Sequence, residues 1–192
     1  MLGSPVYSRI SLWLRKPPAK QHEKLRVATV DFDRLGDRPV DADDVYCCLG
    51  TTIRVAGSQE AFRRVDYDYP VALARAAARG GAKRLLVVSA LGANRHSGVF
   101  YNRVKGEMEE AVRTAGVAKT YFFRPSLLSG PRTEPRLGER IGLAVGMLFG
   151  QLLGRYRPIH ADLVAAAMLR AAEQDLPAQI FESERIRALA RG

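Results

Sequence analysis

The sequence predicts an α/β protein built on a parallel β-sheet, and three observations lead to this prediction. Short apolar runs that suit buried strands alternate with longer stretches that suit helices. The segments between them contain Gly, Pro, Asn or Ser, which are typical of turns and loops. The chain has 192 residues, of which 47% are hydrophobic, enough for one domain with a sizeable core. We therefore expect a single domain over 1–192.

The predicted elements follow this alternation along the chain. We expect strands at Ile10–Leu14, Leu25–Val30, Val45–Leu49, Leu85–Val88, Thr120–Phe123 and Ala178–Phe181. We expect helices at Ala61–Arg79, Tyr101–Thr114, Ile141–Leu153 and Ala161–Glu173. Pro70 lies inside the first of these, so either the helix begins near Asp68 with Pro70 in its first turn, or it kinks at Pro70. The pattern is typical of a Rossmann-like, doubly wound parallel sheet with helices on both faces.

The stretch Leu85–Glu109, with the sequence LLVVSALGANRHSGVFYNRVKGEME, contains the candidate catalytic residues. Ser89 ends a predicted strand, Tyr101 begins a predicted helix, and Lys105 lies one turn further on the same helix face. A nearby ammonium group favours the phenolate and lowers the pKa of a tyrosine from about 10, so Tyr101 could exchange a proton with a carbonyl or alcohol oxygen. The Ser89 hydroxyl could hold that oxygen. Tyr-x-x-x-Lys is a weak motif by itself, and the order strand, Ser, loop, Tyr, Lys favours function over coincidence.

This order and spacing resemble those of the short-chain dehydrogenase/reductase family. Further segments resemble an atypical branch, the Tat-interacting-protein-like oxidoreductases and their bacterial NAD(P)-binding relatives. These segments are Cys48–Thr52, Val65–Tyr69, Tyr101–Glu107 and Phe123–Ser126. The resemblance implies an NAD(P)H-dependent oxidoreductase that transfers hydride on a carbonyl/alcohol substrate, with Ser89, Tyr101 and Lys105 as its catalytic residues. A non-catalytic NAD(P)H-binding regulator or protein-interaction protein of the same fold is the alternative.

The resemblance also implies a set of cofactor-binding residues. They are Arg15, Lys16, Asp31, Phe32, Gly50, Thr51, Lys105, Pro125 and Ser126. Arg15 would contact the adenosine 2′-phosphate with help from Lys16, which favours NADP as the cofactor and leaves NAD as the alternative. An ordinary exposed strand end is the other interpretation of these two residues.

The remaining cofactor positions of the family follow other predicted strands. Asp31–Phe32 resembles the contact on the adenine side, and Gly50–Thr51 resembles the backbone that lies along the ribose. Pro125–Ser126 follows the strand where the family closes over the nicotinamide. Lys105 would also bond to the hydroxyls of the nicotinamide ribose. Simple packing is the alternative interpretation of Phe32.

The glycine-rich turn that cradles a pyrophosphate in Rossmann folds does not occur in the sequence. Relatives carry it, with the first strand, just upstream of a segment similar to Leu2–Tyr7. We therefore expect the domain to be N-terminally truncated with respect to the family. Either the start of the chain was assigned too late, or the chain has lost that site.

Composition narrows the expected partners. The net charge is +10, spread along the chain as Arg without a basic block, which predicts a solvated basic surface and no nucleic-acid partner. Ile141–Leu153 is apolar but shorter than the roughly 20 residues that span a bilayer, so we expect no stable membrane insertion. This stretch would be a buried helix or an interface helix, and the second alternative would make a homodimer. The predicted partner is a small-molecule carbonyl substrate.

Two cysteines and three histidines provide no metal site. Cys47 and Cys48 are adjacent, without the spacing of a disulfide framework or a metal site, which predicts a reducing, cytoplasmic location. The histidines show no ligand pattern either. His96 precedes Tyr101 in a predicted loop, where it is either a substrate contact or a solvent-exposed residue.

Overall fold

The computed structural model describes residues 1–14, 21–35, 38–129, 156–177 and 179–192. It divides the chain into two compact units, Met1–Arg38 and Pro39–Gly192. The predicted helix Ile141–Leu153 lies outside the described residues, and the expectation of one domain stays a prediction. Within the described residues, no helix is both long enough and apolar enough to cross a bilayer.

The first unit is built around two parallel strands. Strand β1 (Ile10–Leu14) pairs with β2 (Leu25–Thr29) in a register that aligns Ile10 with Leu25. A one-turn 3₁₀ helix, Phe32–Arg34, follows β2. The Asp31 side chain caps it by accepting a hydrogen bond from the backbone N–H of Asp33. The side chain of Phe32 is buried.

The second unit contains a four-stranded parallel sheet in the order β3–β4–β5–β8. Its strands are β3 (Asp44–Cys47), β4 (Arg84–Val88), β5 (Lys119–Arg124) and β8 (Ile180–Glu182). A short parallel pair, β6 (Leu128–Ser129) with β7 (Ile159–His160), lies apart from it. The central strands β4 and β5 are apolar and buried on both faces, as expected for a parallel sheet covered by helices.

Six α-helices are described in this unit. They are α1 (Ile53–Ala56), α2 (Gln59–Arg63), α3 (Tyr69–Arg79), α4 (Phe100–Arg113), α5 (Ala161–Glu173) and α6 (Ser183–Arg191). On one sheet face, Leu86, Tyr121 and Phe123 form a buried cluster with residues of α5 and α6. Within this cluster the rings of Phe123 and Phe181 stack with centroids 4.9 Å apart. The predicted α/β fold with a parallel, Rossmann-like sheet is therefore confirmed.

Of the two alternatives for the predicted helix Ala61–Arg79, the structure confirms the one in which the helix begins near Asp68 with Pro70 in its first turn, and the span is not one regular α-helix. Between α2 and α3, residues Arg64–Asp68 form a π-helix, and Pro70 lies in the first turn of α3. Proline cannot donate a backbone hydrogen bond, and its ring clashes with the carbonyl four residues earlier, here that of Asp66. A wider π turn before Pro70 relieves this clash and lets the helical path continue.

Several other boundaries differ from the prediction at short elements. Helices α1 and α6 and the pair β6–β7 are not predicted by the sequence pattern. Strand β3 ends at Cys47 rather than Leu49, and β8 extends to Glu182 while Ala178 lies outside the described residues. Such elements have too few residues to establish a period, so tertiary pairing and capping decide them.

Candidate active site

Ser89 lies immediately beyond the carboxyl end of β4, next to the central strand β5. Its backbone N–H donates to the Phe123 carbonyl at 2.7 Å, which extends the strand pairing by one bond. The residue is only 5% exposed, and its Oγ has no hydrogen-bond partner among the described residues. A buried hydroxyl without a partner costs free energy, so its persistence here suggests a role toward a bound molecule.

Tyr101 and Lys105 lie on the same face of α4, as the spacing predicted, because residues four apart are neighbours on a helix. Helix α4 begins at Phe100 rather than Tyr101. Tyr101 is partly buried, and its ring packs against that of Phe62 with centroids 5.5 Å apart. The structure therefore places Tyr101 in the first turn of α4 and Lys105 one turn deeper.

The loop after Ser89 forms a hydrogen bond with α4 and packs closely against it. The Asn94 N–H donates to the Asn102 carbonyl at 3.0 Å. Gly106 lets the loop approach closely, because a Cβ at Gly106 would come within 2.3 Å of the Asn94 carbonyl carbon. This contact determines the distance between the loop that follows Ser89 and the helix that carries Tyr101.

Lys105 forms a buried ion pair with Asp66. Lys105 is 3% exposed and Asp66 is 1% exposed, and the Nζ and Oδ1 atoms are 2.7 Å apart. The other carboxylate oxygen of Asp66 accepts a hydrogen bond from the Thr51 N–H at 2.8 Å. Gly50 lies beside the pair, since a Cβ there would be 3.4 Å from Asp66 Oδ1 and 3.9 Å from Lys105 Nζ. The structure thus brings Gly50, Thr51 and Lys105 together around Asp66.

The sequence interpretation assigned Asp66 no role. Asp66 belongs to the π-helix between α2 and α3, next to a salt bridge of 2.5 Å between Arg63 and Glu107 of α4. The available signal was its place in the family-like segment Val65–Tyr69. Its partner is distant in sequence, so only the packing of the π-helix against α4 reveals the pair.

Cys47, at the end of β3, is a buried thiol close to this pair. Burial is the main cause that raises the pKa of Cys47 to about 12. The thiol therefore stays protonated near neutral pH and is a poor nucleophile.

Pro125 and Ser126 follow β5 and differ in their surroundings. The Pro125 carbonyl accepts a hydrogen bond from Leu91 N–H at 2.9 Å, so it contacts the loop after Ser89. Ser126 donates its hydroxyl to the Arg157 carbonyl at 2.5 Å and its N–H to Ser183 Oγ at 2.7 Å. The polar groups of Ser126 are thus engaged by the chain itself.

The other predicted cofactor residues belong to the first compact unit or lie outside the described residues. Arg15 and Lys16 lie outside the described residues. Asp31 and Phe32 belong to the first compact unit, where Asp31 caps the 3₁₀ helix. His96 is exposed, and its N–H donates to Asn94 Oδ1 at 2.9 Å, as in the solvent-exposed alternative.

Comparison with known sequences identifies relatives of two kinds. The chain is 36% identical to the protein HTATIP2 of Rattus norvegicus over 140 residues, which cover 70% of this chain and 57% of that protein. It is 30% identical over 139 residues to the protein FMP52 of Candida albicans, covering 69% and 61% of the two chains. The chain therefore spans about three fifths of the length of these relatives. No family model matches the chain.

Two solved structures illustrate the similarity in fold. DesIV, a dTDP-glucose 4,6-dehydratase from Streptomyces venezuelae with NAD bound, aligns with a TM-score of 0.68 at 15% identity, covering 96% of this chain and 70% of that one. The human epimerase family protein SDR39U1 with NADPH aligns with a TM-score of 0.61 at 15% identity, covering 90% and 64%. Both are nicotinamide-dinucleotide-binding proteins of the Rossmann type.

The predicted cytoplasmic location is wrong by this comparison. The relatives from Candida albicans, Aspergillus niger and Emericella nidulans are all named as mitochondrial proteins. Two adjacent cysteines without the spacing of a disulfide framework do not distinguish among the several compartments that keep thiols reduced.

Proposed function

We propose that this chain is a nicotinamide-dinucleotide-dependent oxidoreductase. It belongs, with HTATIP2 and FMP52, to the short-chain dehydrogenase/reductase-like family of NAD(P)-binding Rossmann proteins. Its substrate is a small molecule with a carbonyl/alcohol pair. The observation that carries this proposal is a grouping at the carboxyl ends of β3 and β4. It consists of the Asp66–Lys105 pair, the Gly50–Thr51 backbone and the Ser89 hydroxyl, which has no hydrogen-bond partner among the described residues.

The proposed catalytic residues have distinct roles. Tyr101 exchanges a proton with the substrate oxygen, and the ammonium of Lys105 favours the phenolate form of Tyr101. Ser89 donates its hydroxyl to the same oxygen, which would satisfy a buried group that has no partner within the described ranges. The buried surroundings of Ser89 and Lys105 strengthen each of these polar interactions relative to water.

The described residues fit the ribose side of a nicotinamide dinucleotide at the carboxyl ends of β3 and β4, whereas the glycine-rich turn for its pyrophosphate does not occur in the sequence. Ligands of parallel α/β sheets bind beyond the carboxyl ends of the strands, where Gly50 and Ser89 lie. Gly50 has no side chain to block an approach to the Lys105 ammonium. Gly50, Thr51 and Lys105 would hold the ribose side of the cofactor, with Pro125 beside the loop after Ser89. When bound, the cofactor supplies the hydride chemistry.

NADP is the proposed cofactor in preference to NAD. Arg15 and Lys16 resemble the residues that contact a 2′-phosphate in relatives. A charge-assisted contact contributes on the order of 1.5–3 kcal/mol, or about ten- to a hundredfold in affinity. Titrating NADPH and NADH into the wild type and Arg15→Ala tests this preference. Equal affinities in the wild type, or an unchanged ratio in the variant, would contradict it.

The function itself is tested with the full chain and a panel of aldehydes and ketones. We expect consumption of NADPH or NADH, seen as loss of nicotinamide absorbance, with at least one substrate class. Dinucleotide binding is measured separately by fluorescence. Binding without turnover on any carbonyl would favour the regulatory alternative, and absence of both would overturn the proposal.

A further inference from the structure

Asp66 is an acidic side chain of the candidate site, and it makes two contacts at once. Its Oδ1 is 2.7 Å from Lys105 Nζ, and its Oδ2 accepts from Thr51 N–H at 2.8 Å. Helix α4 carries Lys105, and the turn after β3 carries Thr51, so a single carboxylate joins the proton-transfer side to the cofactor side. We propose that Asp66 is a positioning residue that anchors Lys105 and the Gly50–Thr51 turn together.

The backbone around Asp66 supports this role. Asp66 lies in the π-helix Arg64–Asp68, a local geometry that is rare and often found at functional sites. Pro70 follows four residues later and requires a departure from the regular α-helix at the Asp66 carbonyl. The Arg63–Glu107 salt bridge also holds this segment against α4. The π-helix, held against α4 by this salt bridge, therefore positions the Asp66 carboxylate next to Lys105.

Burial of both charges restricts the Lys105 ammonium to one position. Both side chains are almost completely buried, and a buried charge left without its partner is strongly destabilising. Lys105 thus has a strong preference for the position where its Nζ meets Asp66, even though its stem is long and flexible. An ammonium held in one place can act on Tyr101 and on ribose hydroxyls in the geometry proposed above.

This inference rests on the proposed function and predicts that both halves of the site fail together. In Asp66→Asn the amide oxygen can still accept from Thr51 N–H, but the charge opposite Lys105 is lost. We expect the melting temperature to fall by about 6–15 °C. We also expect affinity for NADPH to fall about tenfold or more, because Lys105 loses the ion pair that ties it through residue 66 to the Gly50–Thr51 turn.

Asp44→Asn is the matched control. Asp44 forms an equally close pair with Arg84, with 2.6 Å between Asp44 Oδ1 and Arg84 Nε, at the amino end of β3 and β4. The same chemical change therefore removes a buried carboxylate at the amino ends of these strands, away from the candidate site. We expect a loss of melting temperature without a loss of NADPH affinity. An equal loss of affinity in both variants would mean that Asp66 acts through stability alone, which overturns the proposal.

A second measurement does not depend on cofactor or activity. Reductive methylation of lysines, followed by mass spectrometry, reports how firmly each amine is held in the folded protein. We expect Lys105 to be methylated about tenfold faster in Asp66→Asn than in the wild type or Asp44→Asn, because its counter-charge is gone. Equal rates at Lys105 in the two variants overturn the anchor. If the wild type binds no dinucleotide, the proposed function fails while these rates still decide the anchor.

The double variant Asp66→Asn/Lys105→Met covers the case in which Asp66→Asn does not fold. Removing both charges leaves no unpaired ion, so the double variant should melt at or above the temperature of Asp66→Asn. If Asp66→Asn is unfolded, a folded double variant supports the pairing of the two residues, and a double variant that is unfolded as well overturns the proposal.

Discussion

Gly106 of α4 lies directly against the backbone of Asn94 and Arg95, in the loop that follows Ser89. A Cβ at Gly106 would be 2.3 Å from the Asn94 carbonyl carbon and 2.2 Å from the Arg95 nitrogen. No real Cβ tolerates such distances to backbone atoms, so the loop and the helix are in contact only because residue 106 has no side chain. This contact connects the loop after Ser89 to the helix that carries Tyr101 and Lys105.

Gly106→Ala should therefore destabilise the protein although alanine favours helices. Glycine costs about 1 kcal/mol relative to alanine inside a helix, but pushing the loop away costs about 1–3 kcal/mol or more. We expect a lower melting temperature, and we expect turnover to fall by more than the loss of folded protein accounts for. Gly98→Ala, in the same loop with nothing near an added Cβ, is the control. Equal melting temperatures for Gly106→Ala and the wild type would contradict the close packing.

Tyr101→Phe should abolish turnover and leave the fold intact. Only the hydroxyl is lost, and the ring contact with Phe62 remains. General acid–base groups contribute about 10²–10⁴-fold in rate, so kcat should fall by that factor on any carbonyl that the wild type reduces. Tyr156→Phe, which changes an exposed ring, is the control. Wild-type kcat in Tyr101→Phe would exclude the assigned role.

Ser89→Ala should separate activity from stability. The Ser89 hydroxyl is buried without a partner in the part of the chain that the structure describes, so its removal should leave the free energy of unfolding unchanged or raise it, by up to about 1 kcal/mol. Turnover should still fall, because the substrate oxygen loses a donor. In Ser183→Ala, by contrast, the Ser126 N–H loses its acceptor, which should cost about 1–3 kcal/mol of stability. Denaturant titrations of both variants measure the contrast.

Asp175 should make part of the free energy of unfolding depend on pH in the acid range. Hydrogen bonds from Lys119 and then Arg84 lower the pKa of Asp175 from its usual 3.8. A carboxylate whose pKa is lower when folded stabilises the protein above pH 3.8, and this contribution is lost as the pH falls through the lower folded value. Asp175→Asn should therefore be less stable at pH 7 and lose less stability as the pH falls from 7 to below 3.8.

Unfolding curves at several pH values test the Asp175 prediction. Asparagine suits the positive φ of 49° at residue 175, so this substitution changes the charge without adding backbone strain. Parallel acid profiles for Asp175→Asn and the wild type would mean that Lys119 and Arg84 add nothing through this carboxylate.

Local sequence patterns were sufficient to predict most of the fold. The strand Ile10–Leu14 and the helix Ala161–Glu173 have the predicted bounds, and the predictions for β4, α4 and β5 are within one residue at each end. These elements are long or strongly apolar, so a few residues already establish the period. The spacing of Tyr101 and Lys105 on one helix face also followed from the sequence alone.

The tertiary structure decided which residues meet at the site. The π-helix at Asp66, the buried pair with Lys105 and the close approach at Gly106 all depend on contacts between segments far apart in the chain. Propensity and periodicity describe neighbours along the chain and carry no information about such contacts. The sequence by itself therefore determined the order of strands and helices and the positions of Ser89, Tyr101 and Lys105 on them. Only packing determined that Lys105 is held by Asp66, because a buried ammonium must find its counter-charge wherever the fold places one.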